Sequence, residues 1–245
     1  MESTDADVLD LREVRTRPLL HDEDAKMPIL SKPAGCDACP LRHKGQGFVP
    51  DKVARKPRIL FIGEAPGKNE VIASEPFIGK AGFALKNWLI RAVAHMQLAW
   101  DKGEITLGNT LRCLPPEIQG RAYPKGEERL LAEQCCRQYD NFTGEIHTVV
   151  LFGDSPQRAW FREELDAEDA SDRRLGRDVK GVMGRVGRVY ERSGRRWVFA
   201  PHPAFILRQP AIVEHGQQAL HIASGQERVV EPDYIPWDAA IQELS

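Results

Sequence analysis

Apolar residues fall into two patterns along this chain. Near-continuous apolar runs occur at residues 58–62 (RILFI), 148–152 (TVVLF) and 197–200 (WVFA), each closed by Gly or by a Pro-containing turn. Such runs suit strands buried on both faces of a parallel sheet. A shorter run at 105–107 predicts a further strand. Between them the spacing turns helical. Ala81, Ala84, Leu85, Trp88, Leu89, Ala92, Val93 and Met96 mark one amphipathic helix over 81–98. Further helices are predicted over 127–142, 154–165 and 211–224, the second started by Gly153-Asp154-Ser155. Residues 166–196 are polar and basic, with Gly at 176, 181, 184, 187 and 194. They predict a loop followed by a hairpin around 186–190. Strands alternating with helices imply an α/β fold with a largely parallel sheet. Such sheets place ligands beyond the carboxyl ends of their strands. Glu64, Asn109 and His202 each follow an apolar run and would converge there.

Composition narrows the class. A chain of 245 residues, 42% hydrophobic and 29% charged, fits one soluble globular domain with short tails. No run of about 18 apolar residues occurs, so no membrane span is expected. The acidic N-terminus lacks a signal pattern, which makes a cytoplasmic location the expectation. The expected organisation is a weakly ordered extension over 1–34, a domain over 35–225 and an acidic tail over 226–245. The net charge of −2 conceals a basic block: residues 173–196 carry nine Arg or Lys and two acids. Such a block can contact phosphates, or it can be a solvated insertion.

Three motifs carry chemistry. In Gly63-Glu64-Ala65-Pro66-Gly67, small residues let the backbone approach a ligand closely, and its N–H groups are natural oxygen-binding donors. His202-Pro203-Ala204 offers an imidazole after the last strand. The five cysteines form the third. Cys36-x-x-Cys39 is the half-site of many zinc and iron–sulfur centres, and Cys113 and the Cys135-Cys136 pair lie further along. Spacing alone does not choose between zinc and iron–sulfur. Cys135 shares a helical stripe with Leu131, Tyr139 and Phe142, which also suits a core position.

The string GEAPGKNEVIASEPFIGKAG (63–82) resembles the first signature of family 4 uracil-DNA glycosylases. HPAFILRQP (202–210) is similar to the family's last signature, and NTLRC (109–113) before Pro115-Pro116 to its Asn…Cys segment. VVLFGDSPQRAW (149–160) resembles its strand–Gly–helix segment, so the likeness covers residues 35–210 in order. It departs at Val71 and Ser74, where the family usually has Asp and Gly.

The resemblance implies a three-layer α/β/α fold and excision of uracil from single- or double-stranded DNA by a monomer. Glu64 and His202 would be catalytic, and Ala65, Phe77 and Asn109 would hold the base. Cys36, Cys39, Cys113 and Cys136 would ligate a 4Fe-4S cluster. Cys136 is selected because the family places an aromatic three residues after its helical ligand, as Tyr139 stands here. Lys80 and Arg208 would hold phosphates, and Ile206 would be the wedge filling the vacated stack. The acidic tails could meet replication or repair proteins. Phe77 also admits a plain core role. A non-catalytic DNA-binding protein with the same fold is the alternative function.

Overall fold

A computed structural model of the chain describes residues 32–33, 36–118, 121–122, 124–137, 142–178 and 181–225. The expected extension over 1–34 lies almost wholly outside these residues, and the acidic tail over 226–245 lies entirely outside. The central sheet has five strands in the order β2-β1-β5-β7-β6. These are β1 (Ile59–Gly63), β2 (Ile105–Asn109), β5 (Thr148–Phe152), β6 (Val189–Arg192) and β7 (Arg195–Ala200). Pairing is parallel except between β6 and β7. A two-stranded ribbon, β3 (Glu117–Ile118) and β4 (Arg121–Ala122), stands apart.

Alternation along the strands sends side chains to two separate cores, as strand geometry requires. On one face Phe61, Leu107, Val150, Phe152 and Val198 pack against Leu85, Leu89, Met96, Ile206 and Leu220. On the other, Leu60, Ile62, Leu151, Trp197 and Phe199 pack against Phe161 and Leu165. α3 (Lys80–Ala84) leads into a π-helix over Leu85–Ile90, which covers the first face together with α4 (Ala94–Asp101), α7 (Pro203–Arg208) and α8 (Val213–Ala223); α6 (Asp154–Arg174) covers the second. This is the expected three-layer α/β/α arrangement.

The helix expected over 81–98 is interrupted. After α3 the chain follows a π-helix over Leu85–Ile90, and Val93 is extended (φ −115°, ψ 99°) before α4 begins. The wider turn leaves the Trp88 carbonyl to accept from Gln217 Nε2 of α8 at 2.8 Å, so a tertiary bond compensates the local irregularity. Ala84, Leu85, Leu89, Val93 and Met96 of the predicted stripe are nevertheless buried, while Ala81 and Trp88 are half-buried and Ala92 is exposed. Helix α6 runs nine residues past the expected end, with a kink at Phe161 (φ −129°, ψ 36°). Helix α5 is described over Gly126–Arg137, and Phe142 lies in coil rather than in the helix. No helix among the described residues is long and apolar enough to cross a membrane.

Candidate active site

The carboxyl ends of β1 and β2 are in register, with Gly63 opposite Asn109. The ladder continues past them: Thr110 N–H donates to Gly63 O and Leu111 N–H to Glu64 O, both at 2.9 Å. The backbone of Glu64 is therefore fixed although its side chain is exposed. Asn109 is held from the other side, where Arg112 Nη1 donates to its carbonyl at 2.6 Å and Nη2 meets Asp51 at 2.9 Å. Both members of that ion pair are buried. A methyl group on Gly63 would lie 2.5 Å from Asn109 Oδ1 and 2.8 Å from Phe77 Cζ, so glycine is what admits these two side chains to one place.

Phe77 reaches that place through a strained loop. Its φ is +59°, unusual for a bulky residue and costing roughly 1–3 kcal/mol. The loop is tied by Glu70 at the start of α2 (Lys68–Ala73), whose carboxylate accepts from Gly67 N–H and Phe77 N–H, both at 2.6 Å. Gly82 packs against the Phe77 carbonyl so closely that any Cβ there would overlap it. The Phe77 ring is half-buried, edge-on to Phe152 at 6.4 Å between centroids. It is thus both a core neighbour and a pocket wall. Only the return half of a capping box is present, because Gly67 has no side chain to accept from the first turn. The second bond of Glu70, to Phe77, fixes the loop.

His202 caps α7. Its Nδ1 accepts from Ala204 N–H at 3.1 Å. An accepting Nδ1 places the proton of the neutral ring on Nε2. Burial, with a smaller contribution from the Arg208 cation, pushes its pKa down to about 4. The ring is therefore a neutral Nε2–H donor near neutral pH.

Two hollows meet at His202 and Ala204. One, of about 360 Å³, is lined by Ala65, Phe77, Asn109 and His202, with Lys68 and Lys80 also at its wall. The other, of about 670 Å³, runs past Glu64, Asp154, Ser155, residues 181–184, His202 and Arg208. Asn109 and Phe77 thus face the first hollow, Glu64 the second, and His202 both. Glu64 Oε1 lies 3.4 Å from Arg129 Nη1 of α5. Arg129 and Lys68 went unnoticed in the sequence. Lys68 is adjacent to the first motif, whereas no local pattern marks Arg129.

Two expectations about DNA contacts change. Ile206 is fully buried among Leu89, Gly216 and the sheet. It cannot enter a base stack, because the α7 register turns it into the core. The basic block is divided: Arg185, Arg188 and Arg192 are engaged within the protein, whereas Arg173, Arg174 and Arg177 are exposed. Residues 166–174 continue α6, and its acids pair with arginines from the segment that returns across it. Arg185 meets Asp169, Arg192 meets Glu164, and Arg188 donates two parallel hydrogen bonds to Glu168 at 2.5 and 2.7 Å. Arg158 joins Asp154, Asp166 and Asp169. Arg185 is completely buried, so its charge has to be answered internally. The hairpin turns at Ser193-Gly194, later than expected.

The cysteines gather in a third apolar cluster. Cys36, Cys39, Cys113 and Cys136 are buried with Leu41, Phe48, Leu111 and Ala132, while Cys135 is half-buried at its margin. Burial pushes the Cys113 thiol up to about 11 and the Cys136 thiol up to about 12. Thiolates here would need a compensating cationic centre. Soft sulfur donors from three segments match an iron–sulfur cluster by ligand type. Among the described residues, no three His, Cys, Asp or Glu side chains are disposed to hold a single metal ion. Ala65 packs against this cluster, which therefore adjoins the first motif. Tyr139 lies outside the described residues.

Comparison with known proteins places the arrangement. A family profile described as the uracil DNA glycosylase superfamily matches residues 50–221. The type-4 uracil-DNA glycosylase of Pyrobaculum aerophilum is 30% identical over 203 residues, covering 80% of this chain and 93% of its own. The type-4 uracil-DNA glycosylase of Archaeoglobus fulgidus is 32% identical over 192 residues, covering 76% of this chain and 85% of its own. On the profile match, the long coverage and the fold, this chain belongs to the uracil DNA glycosylase superfamily.

Proposed function

We propose that this protein is a uracil-DNA glycosylase. It turns uracil out of DNA and hydrolyses the bond to deoxyribose, leaving an abasic site. The observation that carries this reading is the meeting of two hollows at His202, one holding Phe77 and Asn109 and the other holding Glu64. The two type-4 relatives support it by name.

Flipping a base out of the stack costs a few kcal/mol, which a fitted pocket must return. Phe77 stacks on the uracil ring. The Asn109 carboxamide both donates and accepts, matching the uracil edge. Cytosine would set donors against its donor, and buried mispaired groups discriminate strongly. As the glycosidic bond breaks, its electron pair leaves with uracil and the sugar becomes oxocarbenium-like. The His202 Nε2–H donates to the oxyanion developing on the base, with Ala65 N–H as a second donor. Such donors are worth about 3–4 kcal/mol each. The Glu64 carboxylate stabilises the sugar cation and orients the water, whose oxygen bonds to the sugar carbon as its proton passes to the carboxylate and on to solvent, while the uracil anion takes up a proton from solvent. Lys80, Lys68 and Arg208 stand at the rims, where phosphates would run.

Under the same reading Cys36, Cys39, Cys113 and Cys136 hold a 4Fe-4S cluster. When bound, it supplies positive charge to otherwise disfavoured thiolates and ties the N-terminal loop to the Cys113 segment and α5. It has no part in bond cleavage.

The test is excision of uracil from a labelled single-stranded oligonucleotide, with Glu64→Ala beside the wild type. Alkali-sensitive cleavage at the uracil by wild type, slowed at least about a hundredfold in the variant, is expected. No cleavage by the cluster-loaded wild type would overturn the reading.

A further inference from the structure

We propose that Arg129 is a positioning residue for Glu64. Resting on the reading of Glu64 given above, the inference adds a member to the site from a position on α5 that lies outside every motif.

The guanidinium is held at two points and presents the third to the carboxylate. Its Nε donates to Glu133 Oε1 at 2.7 Å, one turn along α5, and its Nη2 donates to Ser155 Oγ. Nη1 then lies 3.4 Å from Glu64 Oε1. Glu133 is itself buried and meets Arg162 Nη2 at 3.4 Å. Exposure follows the same order: the Glu133 side chain is 5% exposed, Arg129 18% and Glu64 55%. A rigid, partly buried base thus carries a charged fork to the one catalytic side chain that stands in solvent.

Left alone, an exposed glutamate samples many rotamers, and only a few aim its carboxylate at the sugar. Holding it beforehand removes that ordering cost from the reacting complex. An arginine fork can serve three acceptors in fixed directions, which a lysine cannot. Because Glu64 and Ser155, which Arg129 bridges, line the second hollow rather than the base pocket, Arg129 acts on the rate and not on base recognition.

The experiment measures single-turnover excision and DNA Kd for Arg129→Gln, Arg129→Lys, Ser155→Ala, Glu64→Gln and the Glu64→Gln/Arg129→Gln double variant. Arg129→Gln is expected to slow excision about tenfold with Kd within about twofold of wild type. Lysine recovers only part of the rate. In the Glu64→Gln background the loss from Arg129→Gln vanishes, as expected for residues acting as a unit. Should Arg129→Gln fail to fold, Ser155→Ala carries the test, with a smaller loss that also vanishes beside Glu64→Gln. Equal losses in both backgrounds would overturn the proposal, as would an undiminished rate in Arg129→Gln while Glu64→Gln is slow. A raised Kd with a shallower salt dependence would reassign Arg129 to a phosphate. A wild-type rate in Glu64→Gln would remove the reading of Glu64 itself, and this proposal with it.

Discussion

The Glu70 carboxylate accepts the backbone N–H of Phe77 at 2.6 Å, and Phe77 holds φ at +59°. The two facts belong together. A bulky residue keeps a left-handed conformation only where its surroundings over-determine it. Replacing Glu70 by Gln sets an amide where a carboxylate oxygen now accepts. Glu70→Gln should therefore lower stability by about 1–3 kcal/mol and weaken inhibition by free uracil severalfold. Denaturation and product-inhibition measurements check both parts. Unchanged uracil inhibition would mean that the Phe77 ring keeps its place without Glu70.

The pKa of His202 gives a signed pH dependence. Its folded value, about 4, lies below the ordinary 6.5. The unfolded chain then binds the proton more readily. The contribution to stability is complete above pH 6.5 and is lost as pH falls toward 4. Compared with His202→Asn, the wild type should lose relative stability across that window. A loss on the order of 2 kcal/mol is expected, below the full shift because the ring is half-buried. Excision should show no imidazole limb between pH 8 and 5.5. An activity limb near pH 6.5 that His202→Asn abolishes would contradict the assigned neutral donor.

Asp169 faces both Arg158 and the completely buried Arg185. Burial raises its carboxyl pKa, but the two arginines outweigh this and hold it below the usual range. Removing one partner of a buried pair leaves an uncompensated charge. Asp169→Ala should cost about 3–5 kcal/mol, whereas Glu164→Ala, whose pair with Arg192 is exposed, should cost under about 1 kcal/mol. Chemical denaturation of the two variants provides the comparison. Equal costs would show that the Asp169 pairs are worth no more than a surface pair.

Cys136 and Cys135 are adjacent, yet only Cys136 is buried with Cys36, Cys39 and Cys113. Cys136→Ser should reduce iron per chain and bleach the brown colour of a cluster, while Cys135→Ser keeps both. Iron content and visible absorbance of the purified proteins decide this. The reverse pattern would exchange the two roles.

Much of the site was legible in the chain because it follows from position after strands. Glu64, Asn109 and His202 end up at one sheet edge for the reason that β1, β2 and β7 run parallel and stop together. The four cysteines share a cluster even though they come from three segments. What the pattern misjudged has a common cause. Ile206 sits in a motif that resembles a DNA-contacting segment, but which side of a six-residue helix meets the core is set by Leu89 and Gly216 from elsewhere. Residues 166–174 lack an apolar stripe and read as loop, because their helix is held by charge pairs rather than by apolar burial.

The sequence by itself determined the alternation of strand and helix, the two-sided burial of the sheet and the residues that stand at its carboxyl edge. These depend on local periodicity and on residue chemistry, which a linear chain displays. Only the tertiary structure decided that Glu70 holds Phe77, that Arg129 reaches Glu64 across 65 positions, and that Arg185, Arg188 and Arg192 of the basic block pair with acids of α6. Side-chain hydrogen bonds and ion pairs act over a few ångströms. Which groups come within that range is settled by how the elements pack, and no local pattern records it.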